Sequence, residues 1–324
     1  MILYLGLMPN SRKPTQRNSR TPQSSQRKTA PQPSRPELSG APELIDPRWI
    51  LKALAIVLAT ALLLSWGSLC LLWYQGQWQL VLHPSRNVAR SPASLGLKST
   101  ELHFGVDATG QPQLDGWYIP AGTSSAPTAL MLHSGDGSES DALPRALLLH
   151  NAHLNVLLFD YRGYGKSSGR HPTEGSMQQD AESALTYLTA TQHIPAQQII
   201  LYGQRIGASL AVGLAAQHHD IPAIILDGPD GDLTDRVAHD AHSFLVPARL
   251  LFHEQFPLAV PLRTLTTPKL LISYNVAQTP TPLANAADPK VTLELSSEND
   301  SALIPAIQRF VDQYVTHTSH GTQP

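Results

Sequence analysis

Between Ala53 and Trp73 the sequence reads ALAIVLATALLLSWGSLCLLW, 21 consecutive residues without a charge. As a helix this stretch rises about 30 Å, the hydrocarbon thickness of a bilayer, so it predicts a membrane span within an anchor over residues 49–75. A buried globular helix is the alternative, but such helices are usually shorter and carry a polar stripe. A cleaved signal peptide fits poorly, because the stretch starts about fifty residues into the chain and has no small-x-small exit site. Leu69 before Cys70 argues against a lipoprotein cleavage site, leaving the lone cysteine as a small lipid- or core-facing thiol.

The span separates two unlike segments. Residues 9–47 hold eight of the 27 prolines among Ser, Gln, Thr and Arg, so 1–48 is expected to be a disordered basic tail. Residues 1–52 carry nine Lys/Arg and three acids, net +6, whereas residues 74–324 carry fourteen and twenty-two, net −8. Arg35, Arg48 and Lys52 precede the span against Arg86 and Arg90 after it, which predicts a cytoplasmic N-terminus and a C-terminal domain on the outer, periplasmic or extracellular, side. Contact of the tail with anionic headgroups, or its plain solvation, fits the same topology. The summed charge of −2 gives no support for nucleic-acid binding, and one cysteine excludes a disulfide framework or a thiolate zinc cluster. An apolar content of 42% excludes disorder of the whole chain.

From Lys98 onward, short β-type runs alternate with helical periodicities, the pattern of a mostly parallel sheet with helices on both faces. The expected strands are Leu102 to Val106, Gly116 to Pro120, Ala129 to His133, Asn155 to Asp160, Gln198 to Tyr202, Ala223 to Asp227, Lys269 to Tyr274 and Val291 to Leu295. Met177, Ala181, Ala184, Leu185 and Leu188 form one apolar helix face; Leu303, Ile304, Ile307, Phe310, Val311 and Tyr314 form another. Leu201 to Gln217 (LYGQRIGASLAVGLAAQ) reads as strand, sharp turn and buried helix.

In that turn Gly203-Gln204-Arg205-Ile206-Gly207 stands where a G-x-S-x-G nucleophile elbow would be. Trp78-Gln79-Leu80-Val81-Leu82-His83-Pro84, the loop Asp160-Tyr161-Arg162-Gly163-Tyr164-Gly165-Lys166-Ser167-Ser168-Gly169, Ile225-Leu226-Asp227-Gly228-Pro229 and Phe244-Leu245-Val246-Pro247 complete the likeness. Over about residues 70–316 the chain resembles the N-terminally membrane-anchored, serine-aminopeptidase-like α/β hydrolases. The resemblance implies an α/β-hydrolase fold, with an eight-stranded, mostly parallel sheet, over 76–317. It also implies a short helical insertion at 230–267, followed by a disordered C-terminus at 318–324.

Members of that family use a Ser at the elbow, an acid after the seventh strand and a His before the last helix. Here the elbow residue is Arg205, whose guanidinium stays protonated and offers no lone pair for acyl transfer. Ala277 and Gln278 lie where the acid belongs, and Glu298, in Ser296-Ser297-Glu298-Asn299-Asp300, stands at the base position. The resemblance therefore implies a pseudo-hydrolase acting as a binding or interaction module, whose pocket involves His133, Ser134, Gly135, Asp136, Arg205, Ile206, Asp230 and Glu298. Asp136 is expected near the backbone donors that would stabilise an oxyanion, where its charge would oppose one. Arg205 opens a helix, where the macrodipole disfavours a cation, so it calls for a carboxylate partner. Glu298 is expected first, with Asp136 and Asp230 as alternatives; an unpaired Arg205 reaching out of a shallow vestige of the pocket is the remaining possibility.

Ligand and partner classes stay open: membrane lipid along the span, a small anion held by Arg205 with the helix-start amides, or an unidentified protein. A second reading keeps an active serine hydrolase, esterase or peptidase with a relocated nucleophile. Ser134 beside His133 is then the candidate, Ser209 a poor one inside the helix, and Ser296 and Ser297 further options. A third is a structural anchor whose working part is the basic tail. Asp160 and Asp227, at strand exits, are expected to tie loops by bonds to backbone amides. The fourteen histidines include the pairs His150/His153, His218/His219 and His239/His242, yet no HExxH or comparable motif occurs, so no metal is expected. No cofactor is expected either, since no Gly-rich dinucleotide or phosphate loop is present.

Overall fold

A computed structural model describes residues 46–123, 125–231, 233–274, 281–298 and 301–316. Residues 1–45 of the expected tail and the C-terminal segment from 318 lie outside the described residues, while 47 and 48, expected in the tail, already belong to the first helix. Helix α1, Pro47–Gly76, contains the uncharged stretch; it is long and apolar enough to cross a membrane, and none of its residues is buried.

The chain then builds eight strands: β1 (Thr100–Val106), β2 (Pro112–Ile119), β3 (Thr128–Leu132), β4 (Asn155–Asp160), β5 (Ile199–Gln204), β6 (Ala223–Asp227), β7 (Lys269–Tyr274) and β8 (Lys290–Leu295). They form one sheet in the order β8-β7-β6-β5-β3-β4-β2-β1, parallel from β8 through β4 and antiparallel at β2 and β1. Every expected strand is present, with ends shifted by at most a few residues. The central strands are buried throughout because they are uninterrupted apolar runs covered on both faces, whereas edge strand β8 is mostly exposed and carries Lys290 and Glu294.

Four longer helices cover the sheet: α2 (Glu139–Asn151), α3 (Glu174–Thr186), α4 (Gly207–Gln217) and α5 (Leu303–Val311). The apolar faces of α3 and α4 pack with Leu130, Leu157 and Leu201 in one core, and those of α2 and α5 pack with Met131, Leu158 and Ile200 in the other. Successive strand residues thus feed opposite layers. Between β6 and β7 lie short helices at Leu233–Ala238, Ala248–Leu251 and Ala259–Leu262.

Two details fix the upper edge of the sheet. After α1, His83 and Pro84 pair in parallel with Asp136 and Gly137. Arg86 then donates to the carbonyls of Tyr164, Gly165, Ser167 and Gly169, gathering the loop after β4 around one guanidinium. Gly165 belongs to that loop because a Cβ there would fall 1.7 Å from an Asp160 carboxylate oxygen. Asp160 in turn accepts the Glu139 N–H at 2.6 Å, the backbone tie expected of it.

The Glu139 carboxyl is fully buried and neither oxygen has a hydrogen-bond partner among the described residues. Burial, reinforced by the nearby Asp160 charge, pushes its pKa up to about 9. Burial likewise raises Asp160, to about 7. A raised carboxyl binds its proton more tightly in the folded chain than in the unfolded one, so its stabilising effect is full below pH 4.5 and fades as pH rises toward the folded value. Stability should therefore decline between about pH 5 and 9, and Glu139→Gln should flatten that decline in thermal melts across the range. The close approach of α4 to β3 supplies a second test. A Cβ on Gly207 would lie 2.1 Å from the Leu132 carbonyl oxygen, so Gly207→Ala should destabilise by about 2–3 kcal/mol in denaturant unfolding.

Candidate functional site

At the end of β5 the chain turns into α4 within two residues. Arg205 occupies the turn with φ +52°, a left-handed conformation that costs a non-glycine residue about 1–2 kcal/mol. It is held there from both sides: its N–H donates to the Asp227 carbonyl at 3.0 Å, and its own carbonyl accepts the Ala208 N–H at 3.1 Å. Two glycines make the turn sterically possible, since a Cβ on Gly203 would lie 2.5 Å from Ala208 and one on Gly207 would collide with β3. The geometry projects the Arg205 side chain, 46% exposed, into a cleft of about 330 Å³ at the carboxyl ends of the strands.

In that cleft Arg205 Nη1 stands 3.6 Å from Asp136 and Nη2 3.4 Å from Asp230, which also takes Arg236 at 3.3 Å. The expected pair with Glu298 is not the one formed. Glu298 is held instead by Arg145, at 3.1 Å from Nη2 to the carboxylate and 3.0 Å from Nη1 to the Glu298 carbonyl. The reason is positional: Arg145 rises from α2 beside the ends of β6 and β7, between Glu298 and Asp227, and captures the acid first.

Arg145 organises the rest of the cleft wall. It is 8% exposed, its Nε lies 3.1 Å from Asp227, and Nη2 bonds the Tyr274 hydroxyl at 3.0 Å. Asp227 also accepts the hydroxyls of Tyr202 and Tyr274. Asp227 was expected to tie backbone amides with its side chain, but its carboxylate serves a side-chain network and only its carbonyl receives an amide. The sequence reading overlooked Arg145. Its one signal was a lone cation between the core residues Leu143, Ala146 and Leu149.

The loop after β3 places the other candidates. His133 is buried against the rings of Tyr161 and Tyr164, at centroid distances of 4.4 and 5.2 Å. Burial pushes its pKa down to about 3, leaving it neutral, and its Nε2 is 3.8 Å from Asp160. Ser134 is half-buried and its Oγ accepts the Asp136 N–H at 3.4 Å; no hydrogen bond joins it to His133 among the described residues. His133 offers Ser134 no hydrogen-bonded base among the described residues, because its ring turns into the core. Gly135, with φ +78°, passes its carbonyl to the Tyr164 hydroxyl at 2.8 Å. Asp136 bonds His83 Nδ1 at 2.8 Å, a partner unforeseen from sequence because it arrives from the segment after α1.

Ile206 is buried beneath the elbow. Ser209 is tied to the Pro257 carbonyl at 2.8 Å, while Ser296 and Ser297 are exposed beyond β8. Ala277 and Gln278 lie outside the described residues. No three His, Cys, Asp or Glu side chains converge as metal ligands among the described residues.

What this arrangement offers chemically is two guanidiniums facing three carboxylates across a polar cleft, with the turn occupied by a side chain that cannot attack a carbonyl. Residues 129–318 match the sequence pattern of the alpha/beta hydrolase fold. The uncharacterized protein Rv2307c of Mycobacterium tuberculosis is 33% identical over 227 residues, 68% of this chain and 76% of that protein. Protein bem46 of Schizosaccharomyces pombe is 36% identical over 115 residues, 35% of this chain and 38% of the relative. Among solved structures, the Pyrococcus furiosus esterase Pf2001 superposes with a TM-score of 0.56 at 17% identity, covering 72% of this chain and 98% of the esterase, a likeness of fold alone. On the breadth of the pattern match and of the mycobacterial relative, the chain belongs to the alpha/beta hydrolase family.

Proposed function

We propose that this chain is a membrane-anchored α/β-hydrolase-fold protein that has given up the serine-hydrolase triad and works as a binding or interaction module. The observation that carries the reading is Arg205 at the elbow, paired with Asp136 and Asp230 where a nucleophile would need a free side chain and a neighbouring base. In this reading residues 1–48 form a basic cytoplasmic tail and 49–75 the anchor, and residues 76–317, with the insertion at 230–267, form the outward domain. Substitution of the acid and base positions at Ala277, Gln278 and Glu298 completes the loss of chemistry.

The ligand proposed for the cleft is a small anion. Arg205 is its receptor, and the anion has to displace Asp136, whose half-exposed pair with Arg205 contributes at most about 1 kcal/mol, and Asp230, whose side chain is 15% exposed. Arg145 is not available for this role, because breaking its buried pair with Asp227 would cost about 3–5 kcal/mol.

Three experiments test the proposal on the full chain in detergent. A fluorophosphonate probe should leave the wild type unlabelled; clear labelling that Ser134→Ala abolishes would overturn the pseudo-enzyme reading in favour of a relocated nucleophile. Arg205→Ser should likewise yield no ester hydrolysis, and measurable turnover in that variant would count against the loss of acid and base. For the ligand, acetate, succinate and inorganic phosphate should raise the melting temperature of the wild type and not that of Arg205→Ala. An equal rise in both would remove Arg205 as the receptor.

A further inference from the structure

The insertion between β6 and β7 presents a cluster of large apolar side chains to solvent, Phe244 at 79%, Leu245 at 55% and Leu250 at 82% exposure, with Val260 at 71% farther along. Their position is fixed by contacts that run along the second half of α1. The Trp66 indole N–H donates to the Leu245 carbonyl at 3.0 Å. Near the other end, Gln77 Nε2 donates to the Leu251 carbonyl at 3.1 Å and Gln77 Oε1 accepts the His253 N–H at 2.8 Å. The Tyr74 and His253 rings meet at 4.6 Å. Residues 245–253 therefore lie alongside the helix, with Leu245 at the level of Trp66 and His253 at the level of Gln77.

That alignment gives the insertion a depth. Trp66 precedes Trp73, the end of the uncharged stretch, by seven residues, or about 10 Å of helix rise. With half a bilayer core measuring about 15 Å, a tip at the level of Trp66 sits within the acyl layer on the domain's side. We propose that the tip of this insertion, Phe244 to Leu250, is a second membrane contact that enters the leaflet on that side beside the anchor. The inference rests on α1 being a span.

Part of the local backbone is satisfied within the protein, which lowers the cost of an apolar environment. The Leu245 carbonyl is taken by Trp66, Val246 N–H bonds Ser243, Pro247 has no N–H to satisfy, and Leu250 and Leu251 N–H both reach the Pro247 carbonyl. Arg249, exposed next to Leu250, has a stem long enough to carry its charge out to the headgroups. Phe244 and Leu250 point outward from the protein, and nothing among the described residues covers them.

The test uses the full chain with Cys70→Ser, single cysteines introduced as Phe244→Cys, Leu250→Cys, Leu64→Cys in the middle of the stretch and Val106→Cys on β1, and an environment-sensitive dye. Reconstituted in phosphatidylcholine/phosphatidylglycerol vesicles, the dyes at 244 and 250 should lose fluorescence to doxyl-labelled lipid within about twofold of the dye at 64, since all three lie in hydrocarbon. They should resist iodide, while the dye at 106 is quenched by iodide alone. Dyes at 244 and 250 that follow the one at 106, with 64 still quenched by lipid, overturn the inference and spare the anchor. Protection from both quenchers would mean that protein covers the tip, which also overturns it. A dye at 64 insensitive to doxyl lipid would defeat the anchor reading itself.

Discussion

The contact on which this architecture turns is the passage of α4 past the end of β3, where Gly207 sits against the Leu132 carbonyl with no room for a side chain. That approach sets how sharply the chain must leave β5, and the sharpness forces Arg205 into a left-handed conformation. A serine in the same place would meet the same demand. The strained turn is thus a property of the fold's packing rather than of its chemistry, which explains how the geometry persists with a guanidinium at its apex. What Arg205 adds is a set of ion pairs that anchor the loop after β3 to the loop after β6.

The cleft contains charges in two regimes. Arg145 and Asp227 are enclosed and satisfied by two tyrosine hydroxyls, so their partnership defines the wall and resists change. Arg205, Asp136, Asp230 and Arg236 are nearer water and exchange partners at small cost. The division separates a fixed frame from an adaptable mouth.

Much of the fold was legible because its strands are uninterrupted apolar runs and its helices keep clean faces; Met177 to Leu188 and Leu303 to Tyr314 packed as their spacing required. The residue types at the elbow and the loop after β4 were equally readable. Charge partners were legible in part: Arg205 pairs with Asp136 and Asp230, its expected alternatives, and not with Glu298. Glu298 met Arg145 rather than Arg205, and Asp136 met His83, because both pairings depend on how far α2 and the segment after α1 reach over the sheet. Spacing in sequence carries no record of such distances. His133 and Ser134 differ for a related reason: adjacent residues after a strand point to opposite sides, one into the core and one toward the cleft.

The short connection after α1 has a consequence of its own. Only residues 77–82 separate the end of the helix at Gly76 from the pairing of His83 with Asp136, a link of about 20 Å even if fully stretched. With α1 in a bilayer, Asp136 and the cleft beside it would be leashed within that distance of the surface. Molecules held on the membrane would then meet the cleft by searching a plane, and those free in bulk would have to come down to it.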